Sequence, residues 1–307
     1  MRDQQSIDLP AITDELAYVW AIGIYQGESP LKLAPAAHVS NPVLTYLDVV
    51  DAPAAFLADP FMVKTPDDWF MFFEVFNQAS AKGEIGLAAS RNGLDWQYRQ
   101  IVLREPYHLS YPYIFAWQGE YYMTPETLEP KAIQLYKAVS FPDEWAVAAT
   151  LVKGEFADPS IFRFNDRWWL FACSTPLKHD TLRLYFADEL TGLWTEHPKS
   201  PIIAGDERIA RPAGRVLVLD DKVIRYAQDC YPMYGTQVRA FEITELTPTT
   251  YAEKECVESP VIKPQGSGWN KVGMHHLDPH LMRDGSWLAC VDGMRSGVQA
   301  SRIDGVR

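Results

Sequence analysis

At 307 residues, 47% hydrophobic and 13% aromatic, the chain can bury the core of one large all-β domain. A formal net charge of −12 with no basic run argues against nucleic acid or an anionic membrane as partner and favours a neutral or cationic small-molecule or glycan ligand. No run approaches membrane-spanning length, so no membrane insertion is expected, and residues 1 to 8 lack an apolar signal core, which makes the cytoplasm the expected compartment.

Residues 1 to 16 read as a polar lead-in. The strand Trp20-Ala21-Ile22-Gly23-Ile24-Tyr25 follows, with no hairpin before it, and meets a turn at Gly27-Glu28-Ser29-Pro30. The chain then writes one hairpin five times. Copies open at Asp59-Pro60-Phe61, Tyr111-Pro112-Tyr113, Asp158-Pro159-Ser160, Arg211-Pro212-Ala213 and Asp278-Pro279-His280, with steps of 52, 47, 53 and 67 residues between the prolines. Such steps sit at or above the spacing of four-stranded propeller blades. In the first three copies the second strand opens on an aromatic nine residues past the proline: Trp69, Tyr121 and Trp168.

A further alternating strand follows the first four hairpins, at Ile85, Ile133, Leu182 and Gln237, and in three of them a tryptophan comes next, Trp96, Trp145 or Trp194, expected to be core between blades. The fifth hairpin has none. The strand at 20 to 25 supplies it, so the expected fold is a five-bladed β-propeller whose last blade is completed by the N-terminal strand. Blades fall at about 56–103, 108–152, 155–203, 208–262 and 272–292 plus 16–33 of one domain. A short helix is expected over 246 to 254, and the insertion from 259 to 272 is expected to border a site. Cys173, Cys230, Cys256 and Cys290 have no C-x-x-C spacing and are expected to be buried free thiols.

The first strand of each blade lines the axis, so the residues before the five prolines should converge: Asp59, Tyr111, Asp158, Arg211 and Asp278. The second strands end on the same face at Glu74, Glu126, Ser174, Asp229 and Asp292. Carboxylates crowded on an axis repel, which raises at least one pKa or calls in a cation. One ionised and one protonated carboxyl group are what glycoside hydrolysis needs. An Asp before Pro is also an ordinary strand-entry device, since Asp bonds nearby backbone N–H groups and Pro presets φ. His275 and His276 are adjacent, and on a regular strand they point to opposite faces, so no metal site is expected and one of them should grip ligand. No cofactor is expected. Arg211 and Arg215 could both face the axis only across a bulge, and Arg211 is the better candidate.

The segments Ala58-Asp59-Pro60 and Ala157-Asp158-Pro159, with their hairpins, resemble the five-bladed propellers of glycoside hydrolase families 43, 62, 32 and 68. A likeness spanning nearly the whole chain is carried by Asn41-Pro42-Val43-Leu44, Ala58-Asp59-Pro60-Phe61, His108-Leu109-Ser110-Tyr111-Pro112-Tyr113, Trp168-Trp169-Leu170-Phe171, Ala227-Gln228-Asp229-Cys230 and His275-His276-Leu277-Asp278. These blocks resemble the propeller domain that accompanies a family 64 glycosyltransferase domain in plant glucosamine inositolphosphorylceramide transferases, and its stand-alone bacterial relatives. The resemblance implies a carbohydrate-active propeller. The hydrolase families would place a base or nucleophile at Asp59 and a pKa-setting carboxylate at Asp158. Their acid glutamate has no counterpart here, because Tyr111 and Arg211 hold the remaining central entries.

Three readings follow. An enzyme acting on a glycosidic or glycosyl-like bond would use Asp59 as base or nucleophile, Asp158 to set pKa, and Glu126, Asp229 or Asp278 as acid. Arg211, Tyr111, His276, Glu74 and His275 would bind substrate. A propeller that binds a glycan or protein without chemistry is the alternative. The third reading is small-molecule transfer or cyclisation steered by the acidic funnel.

Overall fold

The computed structural model describes residues 18 to 219 and 222 to 297; the expected lead-in at 1 to 16 lies outside them. Five antiparallel sheets form the five blades. Blade one runs Ala54–Lys64, Trp69–Asn77, Lys82–Ser90, Gln97–Leu103, and blade two Ser110–Trp117, Glu120–Glu126, Ala132–Ser140, Glu144–Lys153. Blade three has Ala157–Phe164, Arg167–Cys173 and Thr181–Ala187, edged by the short Thr195–Glu196 and Ile203–Ala204. Blade four is Leu217–Leu219, Lys222–Asp229, Gln237–Leu246 and Tyr251–Glu255.

Blade five joins the two ends of the described chain. Leu277–Leu281 and Trp287–Ser296 form its hairpin, Tyr18–Ser29 pairs along the whole second strand with Ile22 opposite Asp292, and Lys32–Pro35 adds a fourth strand. The expected closure is therefore present. It removes the open sheet edges that an unfinished last blade would leave.

The recurring aromatics fill the wedges between blades. Phe72 of blade one meets Trp145 of blade two edge-on at 5.5 Å, and Trp117 of blade two meets Trp168 of blade three at 5.1 Å. Trp96, Trp145 and Trp194 occupy core clusters or their margins. Each donates its indole N–H to a backbone carbonyl three or four residues earlier, on Gly93, Pro142 and Leu190. Burying one such ring contributes roughly 1.5–3 kcal/mol, and the bonded N–H avoids the cost of an orphaned donor. All four cysteines are free; Cys173, Cys230 and Cys290 are buried and Cys256 is half-buried.

The structure corrects the expected helix. Residues 246 to 254 form no helix: Gln237–Leu246 and Tyr251–Glu255 are paired strands, joined by a turn in which the Thr247 hydroxyl accepts the N–H groups of Thr249 and Thr250. Threonine's hydroxyl competes for backbone groups in this way, and its branched side chain suits the strand that follows. The 259–272 insertion packs against blade five. Trp269 lies against the backbone at Gly23 and Gly293, where an added Cβ would come within 2.5 Å of its ring, and Asn270 donates to the Tyr25 hydroxyl.

Blade four reaches the axis irregularly. Gly214 has φ of 127°, pairs in parallel with Leu277 of blade five, and a Cβ there would sit 1.9 Å from the Leu277 carbonyl oxygen. This break in the strand turns both Arg211 and Arg215 inward, so the preference for Arg211 alone is corrected. We expect Gly214→Ala to cost about 3 kcal/mol or more, since it adds both strain and a backbone clash. Urea unfolding followed by circular dichroism measures this.

Candidate axial site

Blades one, two and three enter the axis through the same device. Asp59, Tyr111 and Asp158 all take left-handed backbone, with φ of 54°, 47° and 52°, and the strand register shifts at each. Left-handed φ costs an ordinary residue about 1–2 kcal/mol, and Asp tolerates it better than most side chains. The N–H freed by the bulge is met from the preceding blade: Asp59 N donates to Asp292 at 3.0 Å, and Asp158 N donates to Glu126 at 3.1 Å. A second-strand carboxylate of one blade thus fixes the first-strand entry of the next.

Asp278 departs from this pattern. It pairs regularly with Cys290, without a bulge, and lies further along the axis, where Arg215, His280 and the Met62 N–H all donate to it. Burial alone would raise its carboxyl; the Arg215 guanidinium and His280 hold it well below the usual range instead. It therefore stays ionised, a correction to its candidacy as the acid. Asp229 is likewise outside the cluster. It points to the opposite face of its strand from Gln228, where Arg239 and Gln237 donate to it at 3.0 and 2.9 Å.

What does assemble are two groups of charge. In the first, Arg211 donates to Asp158 through Nε at 2.6 Å and through Nη2 at 3.3 Å, to Glu126 at 3.2 Å, and through Nη1 to the Pro176 carbonyl and to His179. Gln228 adds a 2.7 Å bond to Asp158. Burial, then Arg211, lowers the His179 imidazole to about 4, so its neutral ring accepts the arginine N–H. In the second group, the Asp292 carboxylate takes the backbone N–H groups of Asp59, His275 and His276 together with Nδ1 of His275 at 2.7 Å. Burial works to depress the His275 imidazole, but Asp292 and Asp59 outweigh it and hold it raised.

Asp59 stands between these groups, 5% exposed, and its Oδ1 has no hydrogen-bond partner. Burial lifts its carboxyl to about 7 against the opposing pull of His275, with Asp158 adding to the rise. Glu74 and Glu126 are also raised well above the ordinary value by burial; neighbouring Asp59 adds to it at Glu74, while Arg211 opposes it at Glu126.

The remaining candidates sort by what they touch. Glu74 lies 3.4 Å from the His108 ring. Tyr111 is buried with its hydroxyl tied to Ser160 and Gly214, so it joins blades rather than gripping substrate. His276 is fully buried with neither ring nitrogen bonded, edge-on to Phe61 and Tyr111, and burial lowers it to about 4. His275 and His276 precede the regular strand, so the alternation that was expected to separate them does not apply. Both lie 3.7 Å from Asp59 Oδ1.

Sequence reasoning did not single out Gln228, His179, Trp20 or Tyr234, and it noted Asp292 only as a strand end. Trp20 stacks on His275 at 4.0 Å, and Tyr234 covers Arg211 and His275, each at 5.1 Å. The neighbour of Asp229 on the opposite face was the available signal for Gln228; the tyrosine came from a loop without a pattern. An open cavity of about 810 Å³ lies elsewhere, between the outer strands of blade one and the Pro142-Asp143 turn of blade two. Arg91 and Asp68 on its lining pair at 3.1 Å, whereas the axial cluster carries buried unpartnered groups.

The fold and the axial acids define a five-bladed propeller with a cluster of buried carboxylates on its axis. Solved structures share that fold: a putative glycoside hydrolase from Parabacteroides distasonis (12% identity, TM-score 0.62, 84% of this chain and 95% of that one) and an exo-1,5-alpha-L-arabinanase from a bovine ruminal metagenomic library (11%, 0.56, 80% and 94%). The chain belongs to the family described as glucosamine inositolphosphorylceramide transferase 1, N-terminal, whose model matches residues 13 to 294. It is 35% identical to glucosamine inositolphosphorylceramide transferase 1 of Oryza sativa subsp. japonica and 33% identical to that of Arabidopsis thaliana, over 90% of this chain. It spans 40% and 39% of the length of these relatives.

Two outcomes test this electrostatic layout. Arg211→Met strips the partner from buried Asp158 and should cost about 3–5 kcal/mol, much of it recovered in Arg211→Met with Asp158→Asn; chemical unfolding of the set measures it. For Glu126 the folded pKa lies above the unfolded value of about 4.3, so its contribution is present below that pH and is lost as pH rises through the folded pKa. Glu126→Gln should therefore gain stability relative to the parent as pH climbs from 4 to about 8. A gap that is flat with pH in thermal melts would contradict the shift.

Proposed function

We propose that the axial well binds a glycan and acts on a glycosidic or glycosyl-like bond, with Asp59 as general base or nucleophile and Glu126 as general acid. One observation carries the reading: Asp59 is buried, its Oδ1 is unpartnered, and its carboxyl is lifted to about 7, while Asp158 beside it is tied to Arg211. A base is most effective when its pKa lies near the working pH. Burial raises the Glu126 carboxyl well above its ordinary value, the direction that suits an acid that protonates the leaving oxygen. Asp158, gripped by Arg211 and Gln228, orients the pair. Asp278 is set aside as the acid because Arg215 and His280 hold its carboxyl well below the usual range, and Asp229 because it points away from the cluster.

The names of the rice and Arabidopsis relatives make glucosamine-bearing glycans and inositol phosphate glycans the first ligands to try. An ammonium group suits a well with more acids than cations. Turnover should be followed by NMR, with Asp59→Asn and Glu126→Gln each expected to lower the rate by roughly 10²–10⁴ while binding persists. Undiminished turnover in folded Asp59→Asn would sink the proposal. The burial of every axial carboxylate to 6% exposure or less favours a second reading, a glycan-binding propeller without chemistry. In that case ligand binds at the well and is recovered intact after long incubation.

A further inference from the structure

The reactive groups on the axis are covered. Asp59 and Glu126 are 5% exposed, Asp158 1%, His275 2% and His276 0%, so nothing the size of a sugar reaches them in this conformation. The cover has a definite composition. Phe61 and Tyr111, both buried in the core, close one side of His276. Trp20 and Tyr234 close His275, and Tyr234, itself only half-buried, also lies over Arg211. A route through Phe61 and Tyr111 would break the packing between blades; a route past Tyr234 would not.

The two covers of His275 are held differently. Trp20 belongs to the closing strand and pairs with Met294. Tyr234 stands on the loop from 230 to 236, which joins Lys222–Asp229 to Gln237–Leu246 in blade four. The hydrogen bonds of this loop gather at its ends. Cys230 N–H donates to the Glu207 carbonyl, Tyr231 N–H to the Asp229 carboxylate, and Thr236 to the carbonyls of Asp229 and Met233. What holds the tip to the axis is ring contact: the Tyr234 ring lies 5.1 Å from Arg211, His275 and His179 and 6.5 Å from Trp20. A loop with fixed ends, few bonds at its tip and one aromatic anchor opens more readily than a paired strand. Gly235 next to the anchor has φ of 72°, and a Cβ there would come 2.7 Å from the Trp20 ring. The closed loop therefore needs glycine, the residue whose backbone turns most freely.

We propose that Tyr234 gates the axial site: its loop swings out to admit a glycan, and the phenol ring then packs against the bound sugar. The hydroxyl already faces the groups such a ligand would meet. Burial is the first cause that keeps it protonated, and Arg211, Asp158 and Asp59 all act on it. A displaced tyrosine offers a flat apolar face with a polar tip, which matches a sugar ring with its C–H face and hydroxyl rim. The class of ligand rests on the glycosidic reading, whereas the movement does not.

Diethyl pyrocarbonate, which acylates unprotonated imidazoles, tests the movement without a ligand. Modification of the full chain is followed by peptide mass spectrometry at His275-His276 and at His197, a histidine of blade three that is 1% exposed and bonded to Thr247, as the control for unfolding. In the parent the axial pair should react roughly tenfold faster than His197, and sub-denaturing urea should hardly change its rate, because local opening exposes little surface. Tyr234→Ala should raise the ratio of the two rates by about tenfold again, while Tyr234→Phe, which keeps the ring, should match the parent. Equal rates at the two places in the parent would overturn the gate, since the axis would then be reached only through unfolding. A ratio unchanged in folded Tyr234→Ala would do the same. The comparison within the parent decides the matter if Tyr234→Ala does not fold. Selective axial labelling, with neither protection by glucosaminyl inositol nor its turnover, would leave the gate standing and remove the glycan reading; turnover alongside equal labelling rates would do the reverse.

Discussion

The strand Tyr18–Ser29, laid along Trp287–Ser296, is the contact on which the rest depends. It completes the fifth sheet with residues far away in sequence, and so fixes where the second strand of that blade ends. Asp292 sits on that strand, opposite Ile22, and reaches across to the N–H of Asp59 in blade one. The closure of the ring and the conformation of the unpartnered acid Asp59 are thus joined by one carboxylate. A propeller left open at this seam would lose both a sheet edge's cover and the support for the left-handed turn at Asp59.

A hub fed by several acid-bearing strands has to dispose of mutual repulsion, and this one does so in three ways. Arg211 and Arg215 neutralise Asp158 and Asp278 directly. Asp292 is stabilised by backbone N–H groups and His275, which hold it below its ordinary pKa although burial pulls the other way. Asp59, Glu74 and Glu126 are left with raised pKa values, and burial is the first cause in each. Fixed ions beside readily protonated carboxyl groups are the combination from which acid–base chemistry or cation binding is built.

Blades one to three were easy to read because their aromatic register, nine residues from proline to ring, is set by a local bulge and hairpin that each blade repeats independently. The missing third strand after the fifth hairpin pointed to the N-terminal strand by elimination. The well itself was legible in part. Asp59, Asp158, Glu126 and Arg211 do meet, but Asp278, which shares the Asp-Pro signature, pairs without a bulge and lies further along the axis. The signature describes a dipeptide, whereas position on the axis follows from register, and a shift of one or two residues changes both depth and face. Asp229 and Gln228 were confused for the same reason.

The sequence by itself determined the all-β class, the five repeats, the closing strand and the identity of most residues that approach the axis, because strand periodicity and turn chemistry are local. Only the tertiary structure decided which acids are neutralised and which remain unpartnered. Those outcomes depend on side chains from different blades meeting within hydrogen-bond distance: Asp158 with Arg211, 53 residues apart, and Asp59 with Asp292, 233 residues apart. The electrostatics of a buried group is set by the neighbours that replace its water, and in a closed ring those neighbours come from anywhere in the chain.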